Sequence, residues 1–305
     1  MEEQTVPSRR KCGAIAAHYL IVEANPDFRE RLRELEDATA QRMAFGMAAR
    51  RVEGPATIPT VVHVVYNEES GNISEAQIQS QISVLNQDFR AQNPDSSKVP
   101  EVWEGLVADA NIQFALASED PDGGTTTGIT RTRTEQTAFS VDDAVKSAAT
   151  SGVDPWPTDR YLNIWVCNLA DGLLGYAQFP VGPPETDGVV ILNTAFGTTG
   201  TASAPFNRGR TATHEVGHFL NLRHIWGDDF LCAASDLAAD TPNTAEPNFG
   251  KPNFPHVSCN NGPNGDMFMN YMDYVDDDSM IMFTPQQVAR MLATLEGPRS
   301  MLGRS

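Results

Sequence analysis

The segment from Thr213 to Asp228, THEVGHFLNLRHIWGD, limits what this chain can fold into more than any other stretch. His214 and His218 stand four residues apart, so a helix through them puts both imidazoles on one face, where both can reach one metal ion. Glu215 follows the first histidine. A carboxylate there is suited to accept the proton of a water that such an ion acidifies. His224 comes six residues after His218. A continuous helix would turn it away and carry it about a turn and a half further along. The chain must therefore bend, and Asn221 is the expected bend, because asparagine enters the left-handed region more readily than other non-glycine residues. Three histidine ligands leave a fourth metal position open, which is the catalytic rather than the structural zinc pattern. Three of the chain's six histidines fall in these eleven residues, so incidental placement is a poor account of them.

The sequence around this segment reads as a sheet backed by helices. Ile58 to Tyr66, IPTVVHVVY, is β-branched and nearly continuous in apolarity, as a strand buried on both faces should be. Ser74 and Gln77 form a capping box, and Ile78, Ile82, Leu85 and Phe89 make the buried stripe of the helix they open. Strands are expected at Ile112–Ala117, Ile129–Thr134 and Tyr161–Val166, with shorter ones at Leu173–Phe179 and Val189–Leu192. A helix is expected from near Asn207 through Leu220. The stretch 227–283 is rich in Asp, Asn, Pro and Gly, and long irregular stretches of this kind are usually functional or ion-stabilised. A last helix starts at Thr284 with Pro285 in its first turn, carries Val288, Met291, Leu292 and Leu295 on one face, and stops at Gly297-Pro298. Strand–helix–strand order with later strands argues for an α/β class.

Charge divides the chain. It holds 22 Lys and Arg against 40 Asp and Glu, which argues against nucleic acid and anionic membranes as partners and suits hard cations such as calcium. Residues 1–51 hold 9 basic and 8 acidic side chains, whereas residues 52–305 hold 13 and 32. A near-neutral, arginine-rich leader thus precedes a strongly acidic body. The leader contains one clear helix, opened by Asn25-Pro26-Asp27 and carrying Phe28, Leu32, Leu35 and Met43 at helical spacing. Arg50-Arg51 before Val52-Glu53-Gly54-Pro55 reads as an exposed, cleavable junction. No run approaches 18 uncharged apolar residues, so a membrane span is not expected. The start, MEEQTVPSRR, has no apolar core of a signal peptide. No CxxC pair occurs among Cys12, Cys167, Cys232 and Cys259. Cys232 and Cys259 share the loop-rich stretch and are placed to form one disulfide, and Cys167 ends a strand as a buried thiol.

HEVGHFLNLRH followed by NYMDY resembles the metzincin metallopeptidases with their methionine turn. The HIWGD extension, SDLAADTPN, and MDYVDDDSMIMFTPQQ resemble the pappalysin family among them, and RRKCGA resembles that family's pro-segment cysteine motif. The resemblance implies an α/β (α+β) metzincin fold: a twisted, mostly parallel sheet with an antiparallel edge strand and backing helices, then the active-site helix, then an irregular C-terminal subdomain ending in a helix. It implies residues 1–51 as a pro-segment and 52–305 as the catalytic domain, with an upper part over about 52–220 and a lower part over about 221–305. His214, His218 and His224 would bind zinc and Glu215 would be the general base. Met272 would underlie the metal, Tyr274 would steady the oxyanion, and Cys12 would impose latency. The strand Leu173–Phe179 would align the substrate.

Further expectations follow from the same resemblance. Asp236, Thr241 and Asn243, with the carbonyl of Ala239, would hold calcium, and Asp240 adds a further oxygen nearby. Of Asp276, Asp277 and Asp278 after the methionine turn, Asp278 would close a pocket for a basic side chain, with a share for Asp276 or Asp277 left open, so that the enzyme cuts before Arg or Lys and processes itself at Arg50-Arg51. Ser279 stands where close relatives have a further cysteine, which leaves Cys232–Cys259 as the one expected disulfide. The expected protein is a secreted, monomeric, zinc-dependent endopeptidase acting on proteins or peptides. Export would follow despite the missing signal peptide. Two rivals are a zinc hydrolase of non-peptide substrates and an inactive zinc-bearing binding or adhesion module. The intact Glu215 argues against the second, because a structural site has no use for a base there. No GxSxG nucleophile motif occurs.

Overall fold

The computed structural model describes residues 7–44, 54–229 and 232–302. The expected junction Arg50-Arg51 lies outside the described residues. The leader forms two helices, α1 (Ala14–Ala24) and α2 (Phe28–Ala44). β1 (Ala56–Tyr66) opens the body, followed by α3 (Glu75–Asp88), a single turn α4 (Glu101–Glu104), β2 (Ile112–Leu116), β3 (Ile129–Arg133), β4 (Leu162–Cys167), β5 (Gly175–Ala177) and β6 (Val189–Leu192). Then come α5 (Arg210–Phe219), the short β7 (Phe249–Gly250) and β8 (Tyr274–Val275), and α6 (Pro285–Glu296).

The main sheet runs β2-β1-β4-β6-β5, with β3 also paired to β1. The first half of β1 pairs with β2 and the second half with β3. All these pairings are parallel except β5 on β6, which is antiparallel and leaves β5 at the edge. The mostly parallel sheet with an antiparallel edge strand is therefore as expected. The edge strand is shorter than the Leu173–Phe179 reading, because only Gly175 to Ala177 keep ladder partners.

The near-continuous apolarity of β1 reflects cover on both faces. Val62 and Val64 join Ile78, Ile82 and Leu85 of α3 and Ala212, Val216 and Phe219 of α5 in one core. Alternate residues face the other way, as a period of two requires. There Val65 joins Trp165, Val190, Phe139 and Val145, with Ala17 of α1. α1 itself went unread, because AIAAHYLIVEA is apolar nearly all round and no side chain caps its start. Among the described residues no helix is long and apolar enough to cross a membrane.

Beyond α5 the chain is mostly irregular. Cys232 and Cys259 are disulfide-bonded, with Cα atoms 5.2 Å apart. Cys167 is free and buried. Thr284 with Gln287 forms a complete capping box on α6, whereas the box expected at α3 is only half made: Ser74 accepts from Gln77 N, but the Gln77 side chain donates instead to Asn193 O and Phe196 O.

Candidate active site

α5 presents His214 and His218 on one face, and the chain then turns sharply at Asn221, whose φ of 71° lies in the left-handed region. Asn221 N donates to His218 O and Leu222 N to Gly217 O, so the helix closes and the next residues fold back beneath it. The last carbonyls of α5 find partners on and just beyond α6. Arg299 donates to Phe219 O, Thr294 to Leu220 O, and Arg290 twice to Asn221 O. This brings His224 back to the helix face.

The three imidazoles converge through Nε2. The separations are 3.2 Å for His214–His224, 3.1 Å for His214–His218 and 3.0 Å for His218–His224. Each Nδ1 faces an acceptor: Tyr271 O at 2.7 Å, Leu222 O at 2.8 Å, and the Asp228 carboxylate. A carbonyl or carboxylate oxygen accepts, so each Nδ1 carries the proton and each Nε2 bears a lone pair. Burial, and then the neighbouring imidazole of His224, lowers His218 to about 3, and burial holds His214 well below the ordinary histidine range. Three imidazole Nε2 atoms brought within 3.2 Å of one another, each ring held by an acceptor at Nδ1, are arranged to share one cation, and three nitrogen ligands suit zinc. The residues present therefore fit the ion. Cys12 Sγ lies within 4.8 Å of all three nitrogens, close enough to join them around one ion.

Glu215 is buried beside this cluster, with Oε2 3.4 Å from Cys12 Sγ. Burial pushes its carboxyl up to about 8, against the opposing pulls of Cys12 and Arg10. Met272 packs under the helix, where a Cβ on Gly217 would come within 2.5 Å of its Sδ, so the residue between the two ligands must be glycine for the methionine to fit. The turn is fixed from α6: Gln287 and Asn270 exchange amide hydrogen bonds, and Asn270 Oδ1 accepts from Met272 N. Tyr274 stands edge-on to His224, with ring centroids 4.9 Å apart, and its hydroxyl donates to Cys12 O at 3.5 Å. Trp226 stacks on His224 at 4.3 Å.

Behind the site, Arg210 pairs with Asp88 and Asp95 and donates to the Tyr271 hydroxyl, whose residue supplies the carbonyl for His214. Sequence reasoning missed Asp228, Trp226, Gly217 and this arginine network. Asp228 alone carried a signal, four residues beyond the third histidine.

The leader crosses the site. Cys12 bridges Gly175 in parallel, with Gly13 N donating to Gly175 O and Leu174 N to Lys11 O. Arg10 is buried, and its guanidinium meets Asp277 at 2.6 Å, Thr211 Oγ1 at 3.0 Å and Val275 O at 3.2 Å. Asp277 is itself fully buried and also accepts from Arg208 N and Arg210 N. Arg10 pairs with Asp277 and not with Asp278, the expected pocket acid. The Asp278 carboxylate pairs with exposed Lys251 at 2.6 Å, because the turn Asp277–Ser279 points residue 277 inward and residue 278 out.

The calcium set is only partly assembled. Thr241 Oγ1 lies 2.8 Å from both oxygens of Asp236 and 2.7 Å from Ala238 O. The neighbouring carbonyl is thus that of Ala238, whereas Ala239 N donates to Gln286. Asn243 donates to Cys232 O and Asp240 caps α6 through Thr284 and Gln286 N, so neither joins Asp236. Burial raises Asp236 to about 6.

A helix carrying two histidines, a left-handed bend, a third histidine and a methionine turn beneath them define a metzincin metallopeptidase. The family model described as pregnancy-associated plasma protein-A matches residues 146–296. An extracellular metalloprotease of Arthroderma benhamiae is 31% identical over 291 residues, covering 93% of this chain and 89% of the relative. The structure of a Tannerella forsythia promirolysin mutant is 48% identical with a TM-score of 0.87, covering 96% of each chain. That of Tannerella forsythia mature mirolysin with a cleaved peptide is 54% identical with a TM-score of 0.77, covering 78% of this chain and 91% of that one. The chain belongs to the pregnancy-associated plasma protein-A, or pappalysin, family of metallopeptidases.

Proposed function

We propose that the chain is the latent form of a secreted, zinc-dependent endopeptidase that cuts before arginine, and less readily before lysine. The convergence of three lone-pair nitrogens beside a buried carboxylate carries this reading. A zinc ion held by His214, His218 and His224 would polarise the scissile carbonyl and lower the pKa of water in the site. Glu215 takes the proton at a carboxylate oxygen and hands it to the leaving amine. Tyr274 offers its hydroxyl to the developing oxyanion. The edge strand β5 aligns the peptide through its backbone groups, which in this chain face the leader at Lys11 and Gly13.

Asp277 is assigned as the acid for the residue after the cut, and what supports this is the buried guanidinium of Arg10 paired with it. Residues 1–51 act as the pro-segment, with Cys12 over the metal ligands and Arg10 in the pocket. The promirolysin and mature mirolysin neighbours support a zymogen with a removable leader. The disulfide and the extracellular relatives support action outside the cell.

Calcium near Asp236 and Thr241 steadies the irregular stretch. Its support is a buried carboxylate with oxygen neighbours and no ion-pair partner among the described residues. Selective calcium chelation is expected to lower the unfolding temperature of the zinc-loaded chain by several degrees, about what a loss of 1–2 kcal/mol gives. An unchanged transition sinks the calcium reading.

The test of the function is incubation of the purified chain with zinc and denatured casein, with mass spectrometry of the fragments. New N-termini beginning with Arg, abolished by Glu215→Ala, are expected. No cleavage by a Cys12→Ala chain carrying zinc overturns the reading.

A further inference from the structure

The cysteine and Arg10 hold only the first residues of the leader, yet α2 makes its own contact with the body well away from the metal. Glu36 on α2 meets the Arg290 guanidinium with both carboxylate oxygens at 2.9 Å. Arg223 lies 3.6 Å from the same carboxylate, and the Asn221 amide donates to it at 3.4 Å. The Arg290 side chain is only 3% exposed, and the Glu36 side chain 22%. Nearly two turns of helix further on, Arg42 donates to Ala293 O and Glu296 O at the end of α6. Among the described residues, no other carboxylate is within ion-pair distance of Arg290 or Arg223. Taking the leader away therefore strips two guanidiniums of their anion, on a body whose other acids far outnumber its bases. Losing the Glu36 carboxylate leaves Arg290 only its hydrogen bonds to Asn221 O and costs more there than at Arg223, whose side chain is 40% exposed.

We propose that Arg290 and Arg223 form a carboxylate-binding exosite whose ligand is Glu36, and that through it α2 holds the leader on the body after the connecting chain is cut, independently of Cys12. The site is built from α6 and from the turn between Asn221 and His224, and a helix presenting one carboxylate with a basic residue six positions later fits it. The leader is then a two-anchor ligand, one anchor at the metal ligands and one at the exosite. Departure of the leader requires release of the second anchor as well as loss of the first, while loss of Cys12 alone opens the metal site. This rests on the reading of residues 1–51 as a pro-segment, but the test reads association rather than activity. A failed exosite and a failed zymogen reading are thereby distinguished, since the latter shows as full activity in a separate uncut chain that keeps Glu215.

The experiment uses the full-length zinc-loaded chain, inactivated by Glu215→Ala, with a foreign protease site placed within residues 45–53. After cutting, gel filtration and a labelled leader report whether the two parts remain together and with what Kd. With Cys12→Ser the leader is expected to stay on the body. Adding Glu36→Gln is expected to weaken it at least about tenfold, and adding Arg223→Ala to weaken it by less. If the Cys12→Ser leader departs completely on cutting, or if Glu36→Gln leaves its Kd unchanged, the exosite is refuted.

Discussion

Asp277 and Asp278 differ by one position and share a side chain, yet their environments give them different work. Asp277 has no exposed side-chain surface and accepts from Arg10 and from two backbone amides. Asp278 sits against a lysine at the surface, a pair that solvent screens. A substrate arginine reaching Asp277 would replace Arg10 in its single guanidinium contact with Oδ1, while Oδ2 stays with the backbone amides of Arg208 and Arg210. Asp277→Asn keeps the shape and the backbone contacts but removes the charge. It is expected to lower kcat/KM for arginine peptides by about a hundredfold, while Asp278→Ala changes it by less than about threefold. Steady-state rates on one arginine peptide and its uncharged analogue check this. Equal losses from the two variants would move the pocket elsewhere. No reading of three consecutive acids separates them, because the choice depends on which one the Asp277–Ser279 turn aims inward. Arg10 was unreadable for a similar reason: its partner lies 267 positions away.

At the scale of elements, local rules carried most of the fold. Ser74 and Thr284 were legible as caps because the signal spans four residues and needs nothing distant. The bend at Asn221 was legible because helix geometry forbids His224 its place otherwise. α1 was not, since it is held by β5 and by the core around Trp165 rather than by a stripe of its own. α6 links these levels. Gln287 both completes its cap and orients Asn270 at the methionine turn, while Arg290, Thr294 and Arg299 hold the end of α5. Thr284→Ala removes the cap and the hydroxyl that Asp240 accepts from. The expected cost is about 1–2 kcal/mol in denaturant unfolding. Thr284→Ser, which keeps the oxygen, should recover most of it. A variant as stable as the parent would mean that packing alone sets the start of α6.

Over the whole molecule, the charge is not spread to neutralise itself. The body beyond residue 51 carries 32 acidic against 13 basic side chains, and the leader nearly balances its own. Some of those acids are consumed inside, as Asp88, Asp95, Asp187 and Asp277 are by buried arginines. The remainder leave the body with a net negative charge, and the proposed pocket takes a cation, so the near and far fields would favour the same substrates. They are separable by salt. The Asp277 pocket is buried and little screened, whereas the long-range field falls off within about 10 Å at about 0.1 M salt. Raising salt from about 0.05 to about 0.5 M is therefore expected to cut kcat/KM several-fold for a peptide bearing extra lysines away from the scissile bond. A peptide with the same arginine but neutral flanks should change little. Parallel salt titrations of the two peptides decide it: equal slopes would show that the acidic surface serves solubility alone and does not gather substrate.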